Sequence, residues 1–278
     1  MHKLCHIIDS VVDLKSHQLH AQSTLPVRGA PMKLLLINPN TSLPMTRGIE
    51  EAARAVAAAG TEIVARCPSF GPVSIEGHLD DAFGAAGVAE QALLAAREGF
   101  DATVIACFGD PGLDAAREAL PGPVLGIAEA AFQAASIVAT GFSVVTTMTR
   151  TCVIAERLVR RYGCESTCRG IHGTDIEVLS LESCDEATLA RIEAASRVAL
   201  ARDRSEAIVL GCAGMASLCE ELQRRLEVPV IDGLAVAVKL AEALSALRLR
   251  TAKGGDYAPP LAKRWTGWAA GFGQDRTA

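Results

Sequence analysis

Thr103-Val-Ile-Ala-Cys107-Phe-Gly-Asp-Pro-Gly112 is a short apolar run that ends in a cysteine and breaks into a turn rich in glycine and proline. A second stretch, Ala207-Ile-Val-Leu-Gly-Cys212-Ala-Gly-Met215, repeats the pattern, its cysteine 105 positions after the first. Both runs are apolar throughout rather than alternating, as expected of strands covered by helices on both faces. A helical pattern follows each run, so each cysteine stands between a strand end and a helix start. That setting favours the thiolate, because the positive end of the helix lies beside the sulfur. Two such settings in two halves of one chain suggest a matched pair. Only two similar units set face to face could bring the thiols together.

Outward from these stretches, β-rich runs alternate after Met32 with helices rich in Ala, Leu, Glu and Arg. The alternation predicts an α/β fold with mostly parallel strands. Strands are expected at 33–37, 62–66, 102–106, 124–127, 143–147, 176–179, 207–210 and 228–231. Thr41 or Ser42 is placed to cap the helix after the first strand, with Pro44 in its first turn. Asp110 is expected to cap the next helix, with Pro111 at its first position, and Thr149 to cap one that runs to Tyr162 and stops at Gly163. Leu218, Leu222 and Leu226 lie four apart and predict one buried stripe.

Half of the 278 residues are apolar, enough for one large or two small cores, and two subdomains are expected. The formal net charge of −5 is scattered, so no basic footprint for nucleic acid or an anionic membrane exists, and the expected partner is a small molecule. No stretch approaches the roughly 18 uninterrupted apolar residues that span a bilayer. Nine cysteines at irregular spacing, without a Cys-x-x-Cys, read as reduced thiols of a cytoplasmic protein. The N-terminal segment is faintly like a signal sequence, but His6, Asp9 and Asp13 interrupt its apolar region. Residues 1–31 are polar and turn-rich, and are expected to be a disordered extension upstream of a start at Met32. Residues 251–278 contain Gly254-Gly255, Pro259-Pro260 and both tryptophans, and are expected to form a tail over the body.

Cys164, Cys168 and His172 form a Cys-x3-Cys-x3-His run that imitates a zinc site. A structural site needs four ligands, no fourth is near, and Gly163 and Gly170 interrupt the run, so no metal is expected. His78 with Asp80-Asp81 reads as a capped helix start. No Gly-x-Gly-x-x-Gly follows a strand, so the α/β pattern is not that of a dinucleotide site, and no cofactor is expected.

Two thiols on opposite faces of a bound carbon acid could invert it, one removing the proton and the other returning one from the far side. Backbone N–H groups in the turns after the cysteines would hold the enolate. Two small, buried core thiols fit the same positions equally well. The residues alone leave both readings open.

Four segments taken together narrow the choice: Leu36-Ile-Asn-Pro-Asn-Thr-Ser42, Gly71-Pro-Val-Ser-Ile-Glu-Gly77, Ala106-Cys-Phe-Gly-Asp-Pro-Gly-Leu113 and Leu210-Gly-Cys-Ala-Gly-Met215. In this order they resemble the hydantoin and allantoin racemases of the aspartate/glutamate racemase superfamily, from Met32 to about Leu244. The resemblance implies two doubly wound parallel-sheet α/β subdomains related by a pseudo-twofold axis, with the active site in the cleft between them. Residues 32–128 with 232–250 would form the first subdomain and 129–231 the second. It implies that Cys107 and Cys212 are the alternating acid and base, whereas relatives with one cysteine, such as arylmalonate decarboxylases, protonate one face only. It places Asn40, Ser74, Ile75, Phe108, Gly109, Thr146, Thr147 and Ala213 around the substrate, and Glu76 reads as an ion-pair residue rather than a catalytic one.

Relatives that act on free acidic amino acids typically carry Asn-Thr after the first cysteine and Thr-His or Thr-Glu after the second. Here Phe108-Gly109 and Ala213-Gly214 stand there, which suits a neutral ring and suggests a 5-substituted hydantoin or allantoin. An amino-acid racemase or cis-trans isomerase of the same superfamily, or a two-lobed binding protein without catalysis, are the other readings. A closed homo-oligomer is expected, as for most soluble enzymes.

Overall fold

The computed structural model describes residues 32–183 and 185–273, so the expected extension at 1–31 and the last residues of the tail lie outside the described residues. Strands β1 (Met32–Ile37), β2 (Thr61–Arg66), β3 (Ala102–Ile105) and β4 (Val124–Gly126) form one sheet in the order β2-β1-β3-β4. Strands β5 (Phe142–Thr146), β6 (Cys168–Gly173), β7 (Ala207–Leu210) and β8 (Val230–Asp232) form a second in the matching order β6-β5-β7-β8. Every pairing is parallel. In each sheet the chain winds one way from the first strand and the other way to the third, so the crevice of a doubly wound fold opens beyond the ends of β1 and β3, and of β5 and β7.

Helices α1 (Leu43–Val56), α2 (His78–Ala95), α3 (Leu113–Ala119), α4 (Ile127–Val138), α5 (Cys152–Arg161), α6 (Glu186–Asp203), α7 (Cys219–Leu226) and α8 (Gly233–Ala246) cover the sheets. The central strands are apolar on both faces because both faces are buried. Leu34, Leu36 and Val104 of the first sheet, with Val144 and Val209 of the second, point into a shared inner core. Leu35, Ile37 and Ile105 point outward under α2 and α3, and Val145, Ile208 and Leu210 outward under α6 and α7. The predicted stripe Leu218, Leu222 and Leu226 is buried in that last layer.

The two halves are joined by an exchange of helices. Helix α4 follows β4 but packs on β7 and β8, while α8 follows β8 and packs on β1 and β3. The two helices also pack against each other, and their alanines, Ala128, Ala131, Ala135, Ala237 and Ala241, are fully buried in the inner core. Small side chains at the contact let the axes approach closely.

Several local expectations are corrected. The apolar residues 176–179 form no strand: Ile176, Val178 and Leu181 fill the cores beside a 3-10 turn at Val178–Ser183, and the edge strand is Cys168–Gly173. Ser42 caps α1, its hydroxyl accepting the Met45 N–H at 3.2 Å. Asp110 caps no helix of its own, because Gly112 starts α3 in the left-handed region. Its carboxylate instead accepts the N–H groups of Ala128 and Glu129 at 3.1 and 3.0 Å, capping α4, and the Tyr162 hydroxyl at 2.7 Å. Gly126 permits this approach, since a Cβ there would overlap the Asp110 carboxyl. Thr149 starts a 3-10 turn ahead of α5, and its hydroxyl donates to Asp175.

The described part of the tail is fastened to the body. Thr251 Oγ1 donates to the Gly122 carbonyl at 2.6 Å, and Tyr257 Oη to Asp114 at 3.0 Å. No helix among the described residues is long and apolar enough to cross a membrane.

Candidate active site

Buried strand β3 hands the chain to Ala106, whose N–H still bonds to the Ile37 carbonyl at 2.9 Å. The next residue is Cys107, and the chain turns at once: the Asp110 N–H closes on the Cys107 carbonyl at 3.0 Å. The second half does the same. Beyond β7 the Gly211 N–H bonds to the Val145 carbonyl at 2.8 Å, Cys212 opens the 3-10 turn Ala213–Leu218, and the Met215 N–H closes on the Cys212 carbonyl at 3.1 Å. Each sulfur also accepts the N–H two residues on, Gly109 for Cys107 and Gly214 for Cys212. Both cysteines line one cleft at the ends of the two sheets.

The chain beyond β1 supplies one wall. Asn38 is buried, and its amide donates to Asn40 Oδ1 at 2.8 Å and Thr46 Oγ1 at 2.9 Å. Asn40 Oδ1 also accepts the Ser42 N–H at 2.9 Å, so its carbonyl is spent on the turn. Its Nδ2 donates to Met45 Sδ at 3.2 Å, and both residues line the cleft. At the corresponding point after β5, Thr146 Oγ1 donates to the Gly211 carbonyl at 2.8 Å and so fixes the backbone next to Cys212. Thr147 is buried beside it and also lines the cleft. Ile75, Met45, Ile154 and Val178 add apolar walls.

With this geometry the comparison with known proteins is direct, for the family described as Asp/Glu/Hydantoin racemase matches residues 34–241. The chain belongs to that family. It is 44% identical to a hydantoin racemase of Pseudomonas sp. (strain NS671), over 88% of this chain and 99% of the relative. The solved allantoin racemase from Klebsiella pneumoniae superposes with a TM-score of 0.85 at 51% identity, over 88% of this chain and all of that one. The allantoin racemase of Pseudomonas fluorescens gives 0.81 at 38% identity, over 85% and 100%. As a member of this family the protein is an isomerase of the racemase type.

Of the residues expected around the racemase site, Asn40, Ile75, Cys107, Phe108, Gly109, Thr146, Thr147, Cys212 and Ala213 all line the cleft. Ser74 does not. Phe108 is nearly buried and stacks edge-on against Phe132, with centroids 5.5 Å apart, so it shapes the wall from the core side. Among the described residues Glu76 makes no ion pair. Its Oε1 accepts the Val178 N–H at 2.7 Å, tying the loop of the first half to the second. Asn38, Asp81 and Thr151 also line the cleft and were not foreseen as site residues. A buried asparagine directly after a strand was a usable signal for Asn38. Nothing local distinguishes Asp81 from an ordinary acid of a helix start.

The expected lowering of the thiol pKa values is overturned. Burial pushes Cys107 far up, Gly109 N–H pulls it back, and charge on Cys212, Asp81 and Asp110 pushes it further up. Cys212 is pushed up to about 11 by burial, against the Gly214 N–H, with Glu76 adding to the rise. Burial therefore favours the protonated form of both thiols, and a charge on one would raise the proton affinity of the other.

Cys164, Cys168 and His172 are occupied elsewhere: Cys164 Sγ donates to the Tyr162 carbonyl, Cys168 Sγ to the Gly170 carbonyl, and His172 Nε2 pairs with Asp203 at 2.6 Å. Among the described residues no three His, Cys, Asp or Glu side chains gather as metal ligands would.

Proposed function

We propose that this racemase works without a cofactor and inverts C5 of a five-membered cyclic ureide, a 5-substituted hydantoin or allantoin, with Cys107 and Cys212 as alternating base and acid. The observation that carries the reading is the placement of the two thiols at equivalent strand ends on one cleft. One thiolate takes the C5 proton, and the electron pair of that C–H bond moves onto the adjacent ring carbonyl oxygen as an enolate. The opposite thiol then gives its proton to C5 from the other face. The negative charge ends on the second sulfur, so the reverse reaction starts from the swapped pair. Backbone N–H groups of the two turns stabilise the enolate.

The lining favours a neutral ring over a free amino acid or a dicarboxylate. Among the residues that line the cleft there is no lysine or arginine to hold a carboxylate, while the turn amides offer single donors. The names of the similar proteins, hydantoin racemase and allantoin racemase, point to the same substrate class.

One enantiomer of allantoin or of a 5-alkylhydantoin, incubated with the protein in heavy water, tests the reading. The expected result is the opposite enantiomer carrying deuterium at C5. Inversion that keeps the original C5 hydrogen, or no conversion of any cyclic ureide, overturns it.

A further inference from the structure

Helices α4 and α8 are exchanged between the halves, and their first turns present the same donors. In α8 the N–H groups of its second and third residues, Leu234 and Ala235, are accepted by Asp232, the residue just before the helix, at 3.0 and 3.1 Å. In α4 the equivalent N–H groups belong to Ala128 and Glu129, but the residue just before the helix is Gly126, which has no side chain to offer. The backbone suits a local cap in both places: Gly126 has φ −89° and ψ 146°, and Asp232 has φ −89° and ψ 115°. The carboxylate that serves α4 comes instead from Asp110, in the turn that opens at Cys107. Capping alone does not account for this displacement, because the second half caps its helix from the adjacent residue.

The displaced cap ties the Cys107 turn to the other half of the molecule. Asp110 closes that turn with its N–H on the Cys107 carbonyl at 3.0 Å, and it holds a φ of +45°, which a residue with a Cβ adopts at a cost. The Tyr162 hydroxyl, just past the end of α5, donates to the same carboxylate at 2.7 Å. Phe108, inside the turn, packs edge-on against Phe132 of α4. Helix α4 in turn packs on β7, the strand that leads to Cys212. A continuous run of contacts therefore connects the two thiols through Asp110. The turn at Cys212 has no such tie: the residue whose N–H closes it is Met215, fully buried in the core of its own half.

We infer that Asp110 is a positioning residue for the reaction: by capping α4 from within the Cys107 turn, it sets Cys107 against the half that carries Cys212. The inference rests on the paired-thiol reading and names what holds the pair in register.

Moving the cap separates the two roles. Asp110→Ala removes both cap and tie, and clears the space that a Cβ on Gly126 needs. Adding Gly126→Asp to it puts a carboxylate where Asp232 stands in the second half, which restores the cap and the local charge without the tie. Urea unfolding midpoints, and kcat and KM for allantoin and a 5-alkylhydantoin, are compared with wild type. Asp110→Ala is expected to lower the midpoint and to cut kcat about tenfold or more, the scale of a small misplacement of a reacting group. The double variant is expected to regain the midpoint while kcat stays low and KM changes little. In that variant iodoacetamide, followed by peptide mass spectrometry without substrate, is expected to label Cys107 faster relative to Cys212 than in wild type. A kcat that recovers with the midpoint, a kcat that Asp110→Ala does not lower, or a labelling ratio equal to that of wild type overturns the inference. If Gly126→Asp does not restore the midpoint, the labelling ratio decides, since it compares two thiols of one preparation. If wild type racemises no cyclic ureide, the substrate reading fails, and the labelling ratio still decides the inference.

Discussion

Cys107 and Cys212 hold the same station in two matching halves: each follows an inner strand, each accepts the N–H of a glycine two residues on, and both face one cleft. Equivalent positions in two sheets of the same strand order bring both thiols to that cleft. The symmetry is of the backbone only. Asp81 and Asp110 add their charge near Cys107, and Glu76 near Cys212, so the two sulfurs differ in proton affinity.

That difference sets the response to pH. Burial keeps both thiols protonated at neutral pH, Cys212 rising to about 11 and Cys107 further. The base form therefore grows as pH rises and is lost as it falls. Between pH 7 and pH 9, kcat/KM for racemisation is expected to climb about tenfold per pH unit, after subtraction of the enzyme-free rate. A flat profile over that window contradicts the raised proton affinity of the thiols.

The bond from Val178 N–H to Glu76 Oε1 joins the two halves beside the cleft. Glu76→Ala leaves that N–H without its acceptor and is expected to cost about 1–2 kcal/mol of stability and to raise KM. Glu76→Gln keeps an acceptor and is expected to retain most of both. Denaturant unfolding and steady-state kinetics check this, and an alanine variant that matches wild type in both shows the link to be idle.

Asp110 caps α4 from a distance, with the Tyr162 hydroxyl as a third donor. Asp110→Ala strands two backbone N–H groups and a hydroxyl, at an expected cost of about 2–4 kcal/mol. A lowered unfolding midpoint in urea is the readout. An unchanged midpoint means that solvent or another side chain takes over the cap.

The central strands were legible because Leu34 to Ile37 and Ala207 to Leu210 are buried on both faces and leave an unbroken apolar string. Edge strand β6 was not. Cys168-Arg-Gly-Ile-His-Gly173 pairs with β5 alone and is half-exposed, so its sequence carries glycines and charges that read as loop. The run 176–179 misled for the opposite reason, since its apolar residues serve packing without strand pairing. Asp110 before Pro111-Gly112 has the look of a local cap, and only the close passage of Gly126 shows that the carboxylate serves a helix 18 residues on. Both thiols were visible in their repeated setting, but their proton affinity was not, because burial outweighs the helix-start donors.

The central claim is that the two thiols share one proton transfer across one carbon. It is tested most directly by following each pure enantiomer of the substrate in heavy water with Cys107→Ser and with Cys212→Ser. The account predicts that both variants lose racemisation, and that each exchanges the C5 hydrogen of one enantiomer only, the two variants acting on opposite enantiomers. Unimpaired racemisation in either variant would contradict it.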